Sequence, residues 1–258
     1  MEVIIKQDAE EVSNEATSIF RRQLRQKPAS VLGLATGSTP LGLYRRMVAM
    51  AQAGEVDFSH ATAFNLDEYV GLPGTHPQSY AAYMRAHLWD HIPMTRWHIP
   101  DGTARDIPLH CAEYEAAIRA AGGIDLQLLG LGSDGHIGFN EPGSSLGSRT
   151  RLKTLTAQTV ADNASHFASP AEVPRHVVTM GVGTILDARH CLVLAFGERK
   201  AAAVAAMVEG PVTAMVPASA LQMHPVCTLI VDEAAAVQLQ RREYYRWVYE
   251  NKPAWQRA

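Results

Sequence analysis

The chain is predicted to have an α/β fold in which a mostly parallel sheet carries helices on both faces. Short apolar runs typical of buried strands alternate with amphipathic stretches typical of helices along the whole chain. The 258 residues suit one large domain, 1–258, and hydrophobic residues at 47% against charged residues at 19% suit one globular core. Neither a repeat nor a low-complexity linker divides the chain.

Each element is predicted from its local pattern. A first helix follows Asp8, because Asp8 and Glu11 have the spacing of a capping box, and Pro40 suits the first turn of a second helix. Strands are expected to begin near 3, 31, 61, 126, 177, 192 and 227, and helices near 8, 40, 79, 109, 200 and 233, the last running to about 247. This alternation favours parallel strands joined by helical crossovers.

One segment breaks the alternation. Residues 142 to about 174 are rich in Ser, Thr, Ala and Asn and contain no clear strand. A stretch of that length is unusual inside a compact domain, so we expect a lid or an interface element there, with the lid at approximately 155–177.

Composition narrows the expected partners and compartment. A net charge of −3 gives no sign of nucleic-acid or membrane binding. Cys111, Cys191 and Cys227 are odd in number and far apart, as expected for reduced packing residues. The first residues lack the pattern of a signal peptide, and no apolar run approaches the ~20 residues that span a bilayer. We therefore expect a cytoplasmic chain.

The first candidate site lies in residues 126–142, where an apolar strand ends at a glycine-flanked polar turn. Ligands of open α/β sheets bind at the carboxyl ends of the strands. Asp134 is placed to orient His136 and raise its basicity, and Glu141 to lie on the other side of the ring. The alternative is a polar turn in which Asp134 caps the next segment and His136 is merely exposed.

Two further strand ends carry polar groups. Residues 61–69 begin apolar and finish with Asp67 and Glu68, one of which is a candidate proton-abstracting base. The alternative is a solvated loop or a helix cap. At the end of the strand from 31, a small-residue turn with Ser38 and Thr39 precedes a helix, which suits a phosphate, although such turns are also common packing devices. ATP and dinucleotide fingerprints are absent.

Together these motifs resemble the glucosamine-6-phosphate deaminase family. The matching segments are 35–40, 64–71, 79–80, 130–142, 148–151 and 181–183, in that order, and the resemblance extends from about Val3 to the last helix. It implies a Rossmann-like sheet and an enzyme of amino-sugar catabolism, formally a hydrolase. The reaction would be an aldose–ketose isomerisation with deamination, giving fructose 6-phosphate and ammonia from glucosamine 6-phosphate, with no metal and no cofactor.

The resemblance also implies residue roles. His136 would assist opening of the pyranose ring, positioned and tuned by Asp134 and Glu141, while Asp67 would move a proton between C2 and C1. Ring opening needs a group that shuttles a proton near neutral pH, which imidazole does, and abstraction at C2 needs a carboxylate. The implied phosphate-binding residues are Thr36, Gly37, Ser38, Thr39 and Lys200.

One departure concerns the phosphate. Many family members supply an arginine from an Asn-Ser/Ala-Arg-Phe-Phe motif in the lid, whereas this chain has Ser165 at that position. A bidentate, permanently charged clamp is therefore missing. Three explanations compete: His166 reaches the phosphate, another basic residue such as Arg175 replaces the arginine, or the substrate is a different amino sugar.

The resemblance leaves regulation and assembly open. In some hexameric members an N-acetylated sugar phosphate binds between subunits at positions that match Ser145, Arg151 and Lys153, although a solvated basic loop has the same residues. The aromatic tail 244–255 suits either a partner subunit or packing on its own domain, so the chain is a candidate homo-oligomer, a hexamer or smaller.

Two other functions compete with the deaminase. A 6-phosphogluconolactonase-like hydrolase would share the fold and a Gly-x-Gly-x-Asp-Gly-His stretch. After His136, however, this chain continues Ile-Gly-Phe-Asn-Glu-Pro, and it keeps Asp67. A sugar-phosphate sensor in a transcription regulator would need a DNA-binding segment, and none fits before residue 3 or after residue 255. These features favour the deaminase.

Overall fold

The structure is a computed structural model that describes residues 1–164, 167, 169, 172–253 and 256. The strands are β1 (Glu2–Lys6), β2 (Val31–Leu34), β3 (Thr62–Asn65), β4 (Asp67–Tyr69), β5 (Arg96–His98), β6 (Leu126–Gly130), β7 (Arg151–Thr154), β8 (His176–Thr179), β9 (Cys191–Ala195) and β10 (Cys227–Asp232). The α-helices are α1 (Ala9–Gln26), α2 (Leu41–Gln52), α3 (Tyr80–His87), α4 (Ile107–Ala120), α5 (Ala157–Asn163), α6 (Val182–Leu186), α7 (Ala201–Val208) and α8 (Arg242–Glu250).

The larger sheet has seven strands in the order β1-β10-β9-β6-β2-β3-β5, and all its neighbours pair in parallel. The predicted mostly parallel α/β fold is therefore confirmed. Because the strands are parallel, the carboxyl ends of β2, β3, β6 and β9 lie at one edge of the sheet. That edge is where open α/β sheets bind ligands.

A second, three-stranded sheet in the order β4-β8-β7 is antiparallel and was not predicted. The run 61–69 was expected to be one strand, but it divides at Leu66. The Leu66 N–H donates to the Leu34 carbonyl beside the large sheet, and the Leu66 carbonyl accepts from the Met180 N–H after β8. A single residue thus passes the chain from one sheet to the other.

Three further elements differ from the prediction. The segment 142–174 contains β7, which exposes Leu152 and so carries no apolar run. The short edge strand β5 was missed because two of its three side chains are exposed and polar. The last helix begins at Arg242, not near 233, because the Glu209 carboxylate accepts hydrogen bonds from the Gln240 and Arg241 N–H groups just before it.

Helix α1 begins as the capping box predicts. Asp8 accepts from the Glu11 N–H at 2.9 Å, and Glu11 accepts from the Gln7 N–H at 3.0 Å. Its buried apolar residues, Val12, Ala16, Ile19, Phe20 and Leu24, pack in the core around the large sheet. All three cysteines are buried and unpaired by disulfides. In the described part of the chain, no helix combines the length and apolarity needed to cross a membrane.

Helix α8 packs on its own domain through one side. Tyr245 and Tyr249 contact the core, and the Lys6 ammonium donates to the Tyr249 hydroxyl. Tyr244 and Trp247 on the other side are 58% and 63% exposed. The tail thus has one side packed on its own domain and one exposed side. The homo-oligomer stays a prediction.

Candidate active site

A cavity of about 800 Å³ opens at the carboxyl ends of β2, β3, β6 and β9. Residues from all three candidate motifs line it together with a residue that follows β9. The predicted site residues on its wall are Thr36, Gly37, Ser38, Thr39, Asp67, His136 and Lys200. An imidazole, a carboxylate and a turn suited to phosphate thus share one space large enough for a sugar phosphate.

The two neighbouring acids at the start of β4 have different environments. Asp67 is 5% exposed, lines the cavity, and makes no side-chain hydrogen bond among the residues that the structure describes. Burial, and secondarily the charge of Glu68, raise the pKa of Asp67 to about 8. Asp67 therefore has the protonation behaviour of a group that exchanges protons near neutral pH.

Glu68 serves the helix that follows. Its carboxylate accepts hydrogen bonds from the N–H groups of Tyr69, Tyr80 and Ala81 at 2.8–2.9 Å. Burial raises the pKa of Glu68 and these hydrogen bonds oppose the rise. The expectation of a helix cap thus fits Glu68, while the cavity-facing carboxylate belongs to Asp67.

His136 is oriented by a contact with Asp134. The Nδ1 atom of His136 lies 2.6 Å from Oδ1 of Asp134, and the same Oδ1 accepts from the His136 N–H at 3.1 Å. The facing imidazole lowers the pKa of Asp134, which keeps a negative charge behind the ring. The predicted pairing of these two side chains is present, and the opposite edge of the ring is left for the cavity.

Glycine at position 132 makes room for this ring. A Cβ atom at Gly132 would lie 2.3 Å from Nδ1 of His136, closer than real Cβ contacts allow. We expect Gly132→Ala to displace the imidazole from Asp134 and to lower kcat/KM by about tenfold or more, since misplacement of a catalytic group by about 1 Å is costly. Steady-state kinetics on folded protein would check this, and unchanged kinetics would show that the ring orientation is unimportant.

Glu141 contacts the segment that was predicted to be a lid. This buried carboxylate accepts hydrogen bonds from the Thr156 and Thr159 hydroxyls at 3.1 and 2.5 Å and from the Thr156 N–H at 3.2 Å. Thr156 is the N-cap of α5, and Thr159 lines the cavity. Glu141 therefore holds α5 against the cavity. Its role beside His136 stays a prediction, and so does the movement of the lid.

The candidate phosphate turn is supported from a neighbouring helix. Gly37 has φ +96°, a backbone conformation that favours glycine, and its carbonyl accepts from the Tyr83 hydroxyl of α3 at 2.6 Å. The Gly197 N–H donates to the Asp232 carboxylate at 3.0 Å, and this turn leads to Lys200 on the cavity wall. Neither Tyr83 nor Asp232 was predicted from the sequence.

Four aromatic residues form another unpredicted part of the wall. The Tyr69 ring lies 4.7 Å from that of Tyr80 and 5.8 Å from that of Phe167, while Tyr80 stacks on Phe139 at 6.2 Å. Each ring stands beside a predicted polar motif in the sequence, which is the only signal that could have indicated it. They enclose the side of the cavity near Asp67 with apolar surface.

The remaining predicted residues are not on the described part of the cavity wall. Ser165 and His166 are outside the described residues. Arg175 is exposed and is not among the described residues of the cavity wall, and the same is true of Ser145. Arg151 and Lys153 are partly buried on β7, and burial lowers the pKa of Arg151. The effector roles of Ser145, Arg151 and Lys153 stay predictions.

Within the described residues, no group of three or more His, Cys, Asp or Glu side chains is arranged to hold a metal ion.

The buried Asp67 should make stability depend on pH. In the unfolded chain Asp67 loses its proton near its ordinary pKa of about 4, whereas the folded chain keeps the proton up to about 8. The folded state thus binds more protons between these values, so the free energy of unfolding falls as pH rises from 4 to 8. We expect Asp67→Asn to be the more stable variant above pH 8, by a few kcal/mol at about 1.4 kcal/mol per pKa unit, with the difference shrinking towards pH 4. Urea unfolding at several pH values would check this, and a pH-independent difference would contradict it.

Comparison with known proteins agrees with this geometry. The model of the family described as glucosamine-6-phosphate isomerases/6-phosphogluconolactonase matches residues 5–230. The glucosamine-6-phosphate deaminases of Pseudarthrobacter chlorophenolicus and Streptomyces coelicolor are 54% and 53% identical over 258 and 259 residues, with 99% of each chain covered.

Solved structures give the same grouping. A chain described as a monomeric glucosamine-6-phosphate deaminase has a TM-score of 0.90 at 43% identity, covering 92% of this chain and 100% of its own. The 6-phosphogluconolactonase of Leishmania guyanensis has a TM-score of 0.69 at 22% identity, covering 91% and 97%, which shows a shared fold. The chain thus belongs to the family of glucosamine-6-phosphate isomerases and 6-phosphogluconolactonases.

Proposed function

We propose that this chain is a glucosamine-6-phosphate deaminase, which converts glucosamine 6-phosphate and water to fructose 6-phosphate and ammonia in amino-sugar catabolism. The observation that carries the proposal is the single cavity in which Asp67, His136 and the turn 36–39 meet. The relatives that are 43% identical or more are described as deaminases, whereas the structure described as a lactonase is 22% identical.

His136 opens the sugar ring. Its cavity-facing nitrogen moves a proton between the anomeric hydroxyl and the ring oxygen, which releases the aldehyde at C1. The carboxylate of Asp134, 2.6 Å from Nδ1, stabilises the imidazolium that forms during this transfer. Such a proton shuttle requires a negative charge beside Nδ1 and a second ring nitrogen that faces the cavity.

Asp67 then moves the proton from C2 to C1. The carboxylate takes the C2 proton of the open chain and delivers it to C1, while one proton of the ammonium group passes to the C1 oxygen. The aldehyde thus becomes a primary alcohol and the amine carbon an iminium. Water adds to that carbon and ammonia leaves, which gives the ketone. Burial raises the pKa of Asp67 to about 8. An ammonium group at C2 lowers that pKa by its positive charge, so substrate binding itself favours the ionised base.

The phosphate binds at the turn 36–39 and at Lys200. Backbone N–H groups of a turn that leads into a helix suit an anion, and the Ser38 and Thr39 hydroxyls add donors. Lys200 stands on the same cavity wall. The turn and Asp67 line the same cavity, so one sugar phosphate can contact both. The chain acts in the cytoplasm, where such sugars are phosphorylated.

A substrate comparison tests the proposal. Ammonia and fructose 6-phosphate are measured from glucosamine 6-phosphate, beside unphosphorylated glucosamine, other amino-sugar phosphates and 6-phosphogluconolactone. We expect both products from glucosamine 6-phosphate and at least a hundredfold lower kcat/KM without the phosphate, since charged hydrogen bonds contribute about 1.5–3 kcal/mol each. Hydrolysis of the lactone without ammonia release from any amino sugar would contradict the proposal.

A further inference from the structure

The basic side chains on the described part of the cavity wall are the candidates to balance a doubly charged phosphate. Among the described residues of the wall, only His87, His136 and Lys200 have side chains that can be positively charged. His136 faces Asp134, with Nδ1 2.6 Å from Oδ1, and is assigned to ring opening. Lys200 and His87 are the other two basic side chains on the described part of the wall.

His87 stands near the phosphate turn through its neighbour on α3. The rings of Tyr83 and His87, one helical turn apart, lie 4.5 Å from each other. The Tyr83 hydroxyl in turn donates to the Gly37 carbonyl at 2.6 Å. The Tyr83 side chain thus links His87, which is exposed on the described cavity wall, to Gly37 of the turn 36–39.

His87 lies on a helix whose position is fixed by other contacts. It is the last residue of α3. The helix itself is held at its other end by the hydrogen bonds of Tyr80 and Ala81 to Glu68. The imidazole is thus carried on a fixed element and not on a free loop.

We infer that His87 is a phosphate-binding residue of this enzyme, which donates a hydrogen bond to the substrate phosphate in addition to the contact of Lys200. The inference rests on the proposed function for the identity of the substrate. It supplies a basic contact from α3 in a chain that has Ser165 where the resemblance leads us to expect an arginine.

The test is His87→Ala beside His60→Ala, an exposed histidine outside the described cavity wall. We expect His87→Ala to raise KM for glucosamine 6-phosphate about tenfold, the lower part of the range for a charged hydrogen bond, with kcat within about twofold. Inhibition by inorganic phosphate should weaken by a similar factor. His87→Lys should restore both values, and His60→Ala should keep the parental ones.

Calorimetric binding of inorganic phosphate separates this inference from the proposed function, because it needs no turnover. If the wild type binds phosphate and His87→Ala binds it about tenfold more weakly, the inference stands even if glucosamine 6-phosphate is not the substrate. Equal phosphate affinity in the two proteins, or a raised KM without weaker phosphate inhibition, would overturn it. Thermal unfolding of each variant verifies that the exposed substitution leaves the fold intact.

Discussion

Asp67→Asn is expected to lower kcat for glucosamine 6-phosphate by about three orders of magnitude, within the range for a lost general base. The amide has the shape of the carboxylate but cannot accept the C2 proton. Because Asp67 makes no side-chain hydrogen bond among the described residues, the substitution breaks no contact that holds the site together. Steady-state release of ammonia would measure the loss, and KM should change by less than about threefold.

Asp57→Asn is the matched control. Asp57 is exposed, outside the described cavity wall, and its carboxylate accepts from the Ser59 N–H, a contact that the asparagine oxygen can keep. Its kinetics should remain parental. Calorimetric binding of inorganic phosphate should show that Asp67→Asn still has an intact anion site. Release of ammonia at a near-parental rate would remove Asp67 from the chemistry.

His136→Gln is expected to lower kcat/KM by about a hundredfold, the lower range for loss of a general acid–base group. The loss should concern ring opening and not the transfer at C2. A substrate analogue that lacks both the 4- and the 5-hydroxyl cannot close a furanose or a pyranose ring, so it bypasses the step that His136 assists. The ratio of variant to parental kcat/KM should therefore be much nearer to one for the analogue than for glucosamine 6-phosphate.

Comparing His136→Gln with Asp67→Asn on both substrates separates ring opening from the later proton transfer. Asp67→Asn should be equally impaired on the closed and the open substrate, because its step follows ring opening. His60→Gln serves as the control for a histidine change outside the described cavity wall. If His136→Gln is as impaired on the analogue as on the natural sugar, His136 has a role after ring opening and the division of labour is wrong.

Most of the large sheet could be predicted, because every strand except the exposed edge strand β5 contains an apolar run. The second sheet could not. Its strand β4 consists of Asp67, Glu68 and Tyr69, which are polar or aromatic yet buried, and β7 alternates partly buried with exposed side chains. Their pairing depends on contacts with β8, which is distant in sequence. The local sequence of a strand does not indicate which distant strand it pairs with.

The part of the site that follows the apolar strands could be predicted, and the part on helix α3 could not. The turn 36–39, Asp67 and His136 follow apolar strands, so the parallel sheet brings them to one edge. Tyr83 and His87 are also on the cavity wall, but they lie on a helix whose position is set by hydrogen bonds to Glu68. Since that placement is a tertiary contact, nothing in the α3 sequence distinguishes its cavity side.

The single residue between β3 and β4 has a consequence for how this chain can vary in length. Leu66 is bonded on both sides, and side chains alternate along a strand, so one inserted or deleted residue at 65–67 would turn Asp67 away from the cavity. The connection at 53–61, which lies between α2 and β3 and outside the described cavity wall, carries no such restriction. Among active relatives, natural insertions and deletions should therefore occur in residues 53–61 and be absent from residues 65–67.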